Sequence, residues 1–427
     1  MTQARQTDQL SQGTHVSGNV WTVAGDGEPG FYGDGGAAVQ ARLNEPKCVT
    51  FSNGRLYVAD SENHVIRQID LQTGVVTTIA GSPDDQPAGA AVGMLDPETS
   101  VEPDDPFADH ANQVESKYTQ LRDLSGTVRF VAGESRNPQR FGGDGGPATA
   151  AKLNFPTAVA VDDAGNLYIA DTLNHRIRFV NRVTGIISAI AGTGHRRYAG
   201  DGGPAVAASL YEPSALVLDG RGNLYVADQG NHRVRRINLT TGVIETVAGT
   251  GESGYNGDGV VGSEASLAGP SGLACGLDGV LYIADTFNGR IRVLDLGTGM
   301  ISTVVGDGGE YRYQGPADES SSSVSRPSGI AVDRRGGILV TDSDSHLIRR
   351  WDPATGLVSR VAGIGTGGYN GDGQTLLGTS LNYPFAVTVD DQNRLYIADT
   401  FNHRIRGAAL PAGLGVTKGC KKGSGGC

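Results

Sequence analysis

The chain has 427 residues, with 65 glycines and only 38% hydrophobic residues, a make-up that suits many short strands joined by tight turns. Its 35 basic and 46 acidic residues leave a formal net charge of -11, which argues against a sequence-independent nucleic-acid binder, because such a protein needs a dominant basic face. Four cysteines make no disulfide framework, and no apolar run approaches the length of a membrane span.

Residues 1–18 are polar and lack the apolar stretch a signal peptide requires, so they are expected to be disordered and the chain cytoplasmic. Residues 19–25 (NVWTVAG) have the form of a fourth strand with no first three before it. From Leu56 comes the phrase LYVADSENHVIRQID, which returns from Leu167, Leu224, Leu281, Ile338 and Leu395; the last five copies start 57 residues apart. A fixed period of this kind signals a repeat architecture.

One period reads as four strands. Residues 213–219 (PSALVLD) form a short apolar run, 224–228 a strand bounded by Gln229-Gly230-Asn231, and 233–238 (RVRRIN) an alternating run. After the Thr241-Gly242 turn, 243–249 (VIETVAG) closes the unit and a Gly-Asp-Gly link leads onward. Four antiparallel strands repeated around the chain describe a β-propeller, an all-β fold. The last copy, 395–409, supplies second and third strands with no fourth, so 21–25 is expected to close the final blade and seal the ring.

The first two copies start at 56 and 167, 111 residues apart, close to two periods. The stretch between holds a fourth-strand phrase, 126–133 (GTVRFVAG), and 82–133 therefore reads as a degenerate seventh blade. The alternative is a six-bladed ring with an inserted lid helix, since Phe107, Ala111, Val114, Tyr118 and Leu121 recur at helical spacing behind Asp105-Pro106. The expected organisation is a propeller over 19–410 and a flexible tail over 411–427 carrying Cys420 and Cys427.

The pentad Asn-His-Arg-Ile-Arg at 174–178 and 402–406, with Ala-Asp before it, resembles the NHL repeat. The joining phrase GDGGPA at 143–148 and 200–205 is similar to the NHL propellers of bacterial proteins and of teneurins. The resemblance implies a propeller fold. It leaves function open, since NHL propellers serve as protein-binding and RNA-binding platforms and, with related propellers, as lyases, hydrolases or condensing synthases.

The recurrent His64, His175, His232, His346 and His403 stand one per blade, where they cannot converge on one ion; each is expected to bond within its own turn, and no metal site is expected. Asp34, Asp144, Asp201, Asp258 and Asp372 of the Gly-Asp-Gly links are expected to fix tight turns through backbone N–H groups, with calcium as the sharper alternative and no other cofactor. Function is expected where the copies disagree. Three links depart from the plain Gly/Ser/Asn pattern and place Arg136, Arg140, His195, Arg196, Arg197, Tyr311, Arg312 and Tyr313 on one face. Guanidinium groups suit a carboxylate or phosphate, and neighbouring Tyr rings suit stacking or hydrogen bonding. The reading is a monomeric binding platform for a protein or small anionic ligand; the alternative is a small-molecule enzyme with a capped central pocket, although no catalytic motif is present.

Overall fold

The structure is a computed structural model that describes residues 18–83, 140–276, 279–309 and 322–411. The chain divides into two compact units, one formed by 1–83 with 141–427 and the other by 84–140, of which only Arg140 is described. The first unit is a propeller of six antiparallel sheets. Blade 3 shows the pattern: Pro213–Leu218, Asn223–Asp228, Arg233–Asn238 and Ile244–Ala248 pair in that order from the axis outward. Blade 4 adds a two-residue outer strand, Val260–Val261.

Each sheet is buried on both faces by its neighbours, which is why the second strands read as continuous apolar runs. Six hydrophobic clusters fill the six junctions between blades; that between blades 3 and 4 joins Ala227 and Val234 to Leu273, Ile283 and Leu294. The glycine ending each fourth strand is demanded by close approach. At Gly249 (φ 98°) an added Cβ would lie 2.3 Å from the His232 carbonyl oxygen, inside any real contact.

The ring closes as the sequence indicates. Val20–Ala24 pairs antiparallel with Arg404–Ala409 as the outer strand of the last blade, Trp21 opposite Gly407 and Thr22 opposite Arg406. Seven blades, however, is a miscount: the propeller has six. Blade 1 joins blade 2 directly, because the Phe155 N–H donates to His64 Nδ1 at 2.9 Å and the Ser61 hydroxyl donates to the Pro156 carbonyl at 2.7 Å, which leaves no slot between them. Chain entry and exit around the intervening stretch are tied as at other links, with Ser82 N–H donating to the Ala151 carbonyl at 3.0 Å. The fourth-strand phrase at 126–133 and the helical spacing from Phe107 lie outside the described residues, as do 1–17 and 412–427. No helix among the described residues is long and apolar enough to cross a membrane.

Candidate binding face

Much of what the repeats carry is scaffold. The third strand of every blade carries a fully buried arginine: Arg67, Arg178, Arg235, Arg292, Arg349 and Arg406 are at most 1% exposed. In blade 2, Arg178 reaches Asp171 at the end of the second strand at 3.0 Å and Asp144 of the link at 2.6 Å. Asp171 also accepts the Asn154 N–H at 2.7 Å and the Asn174 amide at 2.9 Å. An arginine between two carboxylates is tolerable in a dry junction because both carboxylates offset its charge; removing one partner of such a pair costs about 3–5 kcal/mol. Burial pushes the carboxyls of Asp60, Asp285 and Asp399 up to about 6, against the pull of their backbone, Asn and Arg donors.

The Asp of the Gly-Asp-Gly links therefore acts chiefly as an ion-pair partner, a correction to its reading as a turn-fixing residue. Asp201 takes Arg235 at 2.5 Å, the Thr246 N–H at 3.0 Å and the Tyr198 hydroxyl at 2.7 Å. Link aromatics lie over these arginines: Phe141 over Arg176 and Arg178 at 3.8 and 4.8 Å, Tyr198 over Arg233 and Arg235 at 3.7 and 4.8 Å, Tyr369 over Arg404 and Arg406 at 4.0 and 4.8 Å. Blade 5 departs from the pattern. Its Arg349 turns to the Ser323 carbonyl at 2.6 Å and stands 3.6 Å from Asp342, whose carboxyl burial pushes up to about 7.

The recurrent histidines are not intra-turn bonds either; they tie blade to blade. Each sits in the left-handed region, φ 52–59°, where the chain reverses between the second and third strands. Each accepts at Nδ1 from the backbone N–H of the residue that precedes the first-strand proline of the next blade: His175 from Glu212 at 3.1 Å, His232 from Gly269 at 3.0 Å, His346 from Tyr383 at 3.0 Å and His403 from Glu45 at 3.2 Å. A second tie joins the same strands, as when the Thr172 hydroxyl donates to the Pro213 carbonyl at 2.8 Å. Gly289 replaces the histidine between blades 4 and 5, leaving that junction to the Thr286 hydroxyl on the Pro327 carbonyl at 2.9 Å.

These ties arrange a ring around the axis. Glu45, Phe155, Glu212, Gly269, Arg326 and Tyr383 occupy equivalent left-handed positions, one per blade, at the channel mouth. Below them Val49, Val159, Leu216, Leu273, Ile330 and Val387 line the channel together with Thr50, Thr157, Ser214 and Ser271. Lys47, nearly buried, projects into the mouth, paired with Glu45 at 3.1 Å and lying 5.1 and 5.2 Å from the Phe385 and Phe401 ring centres. Arg326 is held by Asp344 at 3.7 Å and the Tyr383 hydroxyl at 3.1 Å. The sequence reading passed over this ring, although a residue followed by proline at the start of every first strand marks it.

Of the residues singled out from the sequence, Arg136, Tyr311, Arg312 and Tyr313 lie outside the described residues, and Arg140 belongs to the second unit. His195, Arg196 and Arg197 are exposed on the link between blades 2 and 3. The matching positions to Arg197 in other links are Gly30, Gly254 and Gly368 at φ 142–148°, a conformation closed to arginine. The link instead makes a tight turn, Arg197 N–H donating to the His195 carbonyl at 2.9 Å, while its Arg197 carbonyl still accepts from Asn231 at 3.1 Å. Arg196 is thereby laid on His175, its Nε 3.2 Å from the imidazole Nε2. Burial, then Arg196 and Arg176, hold His175 down at about 3. Glu212, half-buried beside them, is pushed up to about 7 by desolvation against the pull of Arg196.

A ring of four-stranded blades, closed by Val20–Ala24 against the last blade, is a six-bladed β-propeller. The NHL repeat model matches residues 43–69, 210–237 and 324–351, and the teneurin NHL domain model matches 112–198. These matches identify NHL repeats in the chain. It is 32% identical over 268 residues to Protein SUPPRESSOR OF QUENCHING 1, chloroplastic, of Arabidopsis thaliana, covering 60% of this chain and 25% of that one. It is 30% identical over 298 residues to human NHL repeat-containing protein 2, covering 62% of this chain and 41% of that one. The chain thus spans well under half the length of these relatives. Among solved structures, a protein of unknown function from Bacteroides thetaiotaomicron superposes with a TM-score of 0.59 at 18% identity, over 92% of this chain and 76% of that one, a likeness of fold alone.

Proposed function

We propose that the protein is a binding platform for a protein partner or small ligand bearing an anionic group, and that its working surface is the face carrying the second-to-third-strand turns and the blade links. One observation carries this reading: His195, Arg196 and Arg197 stand exposed and consecutive where the matching positions of another link are Glu252, Ser253 and Gly254, on a chain of net charge -11. A local basic patch on an acidic protein selects by charge complementarity more than by raw affinity. The ring at the channel mouth supports the same face, because one left-handed backbone position per blade carries Glu45, Phe155, Glu212, Gly269, Arg326 and Tyr383 around one axis.

The test is fluorescence anisotropy of the full chain with a labelled glutamate-rich peptide, set against a lysine-rich one. The acidic peptide should bind, and the His195→Ser, Arg197→Ser double variant should weaken it about tenfold or more, since charge-assisted contacts in a partly desolvated site contribute about 1.5–3 kcal/mol each. Equal affinity for both peptides, or an unchanged double variant, would remove the proposal.

A further inference from the structure

His175 carries a contradiction that a ligand would resolve. Its Nδ1 lies 3.1 Å from the Glu212 amide nitrogen and its Nε2 lies 3.2 Å from Arg196 Nε, and both of those neighbours are N–H donors. A neutral imidazole accepts at only one nitrogen, because the other carries the proton. The Nδ1 contact is the structural one. It recurs at His64, His232, His346 and His403 at 2.9–3.2 Å, and the Glu212 amide has a fixed place in the backbone. The proton of His175 therefore sits on Nε2 and faces the Arg196 N–H.

Arg196 makes no ion pair among the described residues, and its guanidinium is exposed. Position 196 overlies the imidazole by construction of the repeat: at the matching Gly367, an added Cβ would lie 2.9 and 3.1 Å from Cε1 and Nε2 of His346. Blade 2 is the described blade in which a cationic donor is placed there. Two donors 3.2 Å apart with no acceptor between them repel; an oxyanion oxygen seated against both is the arrangement that satisfies each. We infer that the His175 Nε2–H and the Arg196 guanidinium form a two-donor site for a single oxygen of an oxyanion, a carboxylate or a phosphate. The inference rests on the platform reading only for its biological use, since the donor pair exists whatever the face binds. The neighbouring Glu212 suits the same ligand: desolvation favours its protonated form, so that it need not repel an incoming anion.

The experiment is long-range proton–nitrogen NMR on the full chain labelled at histidine, with His175 assigned from the His175→Asn spectrum. The untreated protein should show His175 protonated at Nε2 and bare at Nδ1. Adding acetate or inorganic phosphate, against chloride at matched ionic strength, should move the His175 Nε2 signal, and Arg196→Gln should weaken that response about tenfold; Arg196→Lys, which keeps the charge but not the Nε–H, should fall between. A response to acetate alone assigns a carboxylate, and one to phosphate alone a phosphate. A proton on Nδ1, or a signal that neither anion moves, overturns the inference. The two readings fail separately: a His175 response without acidic-peptide binding sinks the platform alone, and peptide binding without a His175 response sinks this site alone.

Discussion

His232 offers the sharpest test of the blade-to-blade ties. Its imidazole accepts the buried Gly269 N–H at 3.0 Å while its own backbone sits at φ 52°, ψ 40°. Replacement by Ala leaves that amide without its acceptor, which costs about 1–3 kcal/mol, and keeps a Cβ in the left-handed region. Replacement by Gly loses the same acceptor but relieves the backbone by about 1 kcal/mol. Nature has made the second change once, at Gly289. The expected order of stability is wild type, then His232→Gly, then His232→Ala, with the Ala variant about 2–4 kcal/mol below wild type once the lost imidazole packing is added. Urea-unfolding midpoints followed by circular dichroism give the order, and hydrogen exchange of the Gly269 amide gives the cause, since that amide should lose protection in both variants. An Ala variant more stable than the Gly variant, or an unchanged Gly269 exchange rate, would refute the reasoning.

Two further outcomes are expected. His175 is held well below its ordinary value, so it favours the fold while neutral: its contribution is present above about pH 6.5 and is lost as pH falls from there towards about 3. Burial sets this first, then Arg196 and Arg176, and the comparison of wild type with His175→Asn isolates it from Asp342, whose raised carboxyl acts in the opposite sense, losing stability as pH rises through about 7. Stability measured from neutral to mildly acid pH should fall more steeply in the wild type; parallel curves would count against it. Removing residues 1–25 should lower the melting temperature of the whole propeller, because it strips the last blade of its outer strand and takes the Thr22 N–H and hydroxyl, both at 2.9 Å, from Asp372. A truncated chain that melts with the intact one would exclude the closure as a source of stability.

The propeller and its closing strand were legible because both are local patterns. Alternation in 233–238 and the orphan phrase at 19–25 need no knowledge of what lies across the molecule. The blade number was not, since a span of 111 residues between copies fits one long link as well as an extra blade, and spacing counts residues without saying whether they pair. The histidines were misassigned for a related reason. The amide that bonds His175 lies 37 residues on, in the next blade, as it does for His232 and His346, so the tie shows only once the packing of one blade on the next is known. The buried arginines escaped notice because an arginine in an alternating strand reads the same whether water or two aspartates receive it. At the candidate site the departure of Arg196 and Arg197 from the link pattern was visible, while the roles of His175 and Glu212 depend on a junction between blades.

Thr22 bonds Asp372 across a separation of 350 residues. At a synthesis rate of about 5–20 residues per second, roughly 20–70 s pass between the emergence of the closing strand and that of its partner. Val20–Ala24 (VWTVA) carries no charge to guard it during that interval. Birth order and assembly order are thus reversed in this ring: of the ring's own strands, the first to be made is docked among the last, and its edge stays unsheltered until the final blade is complete.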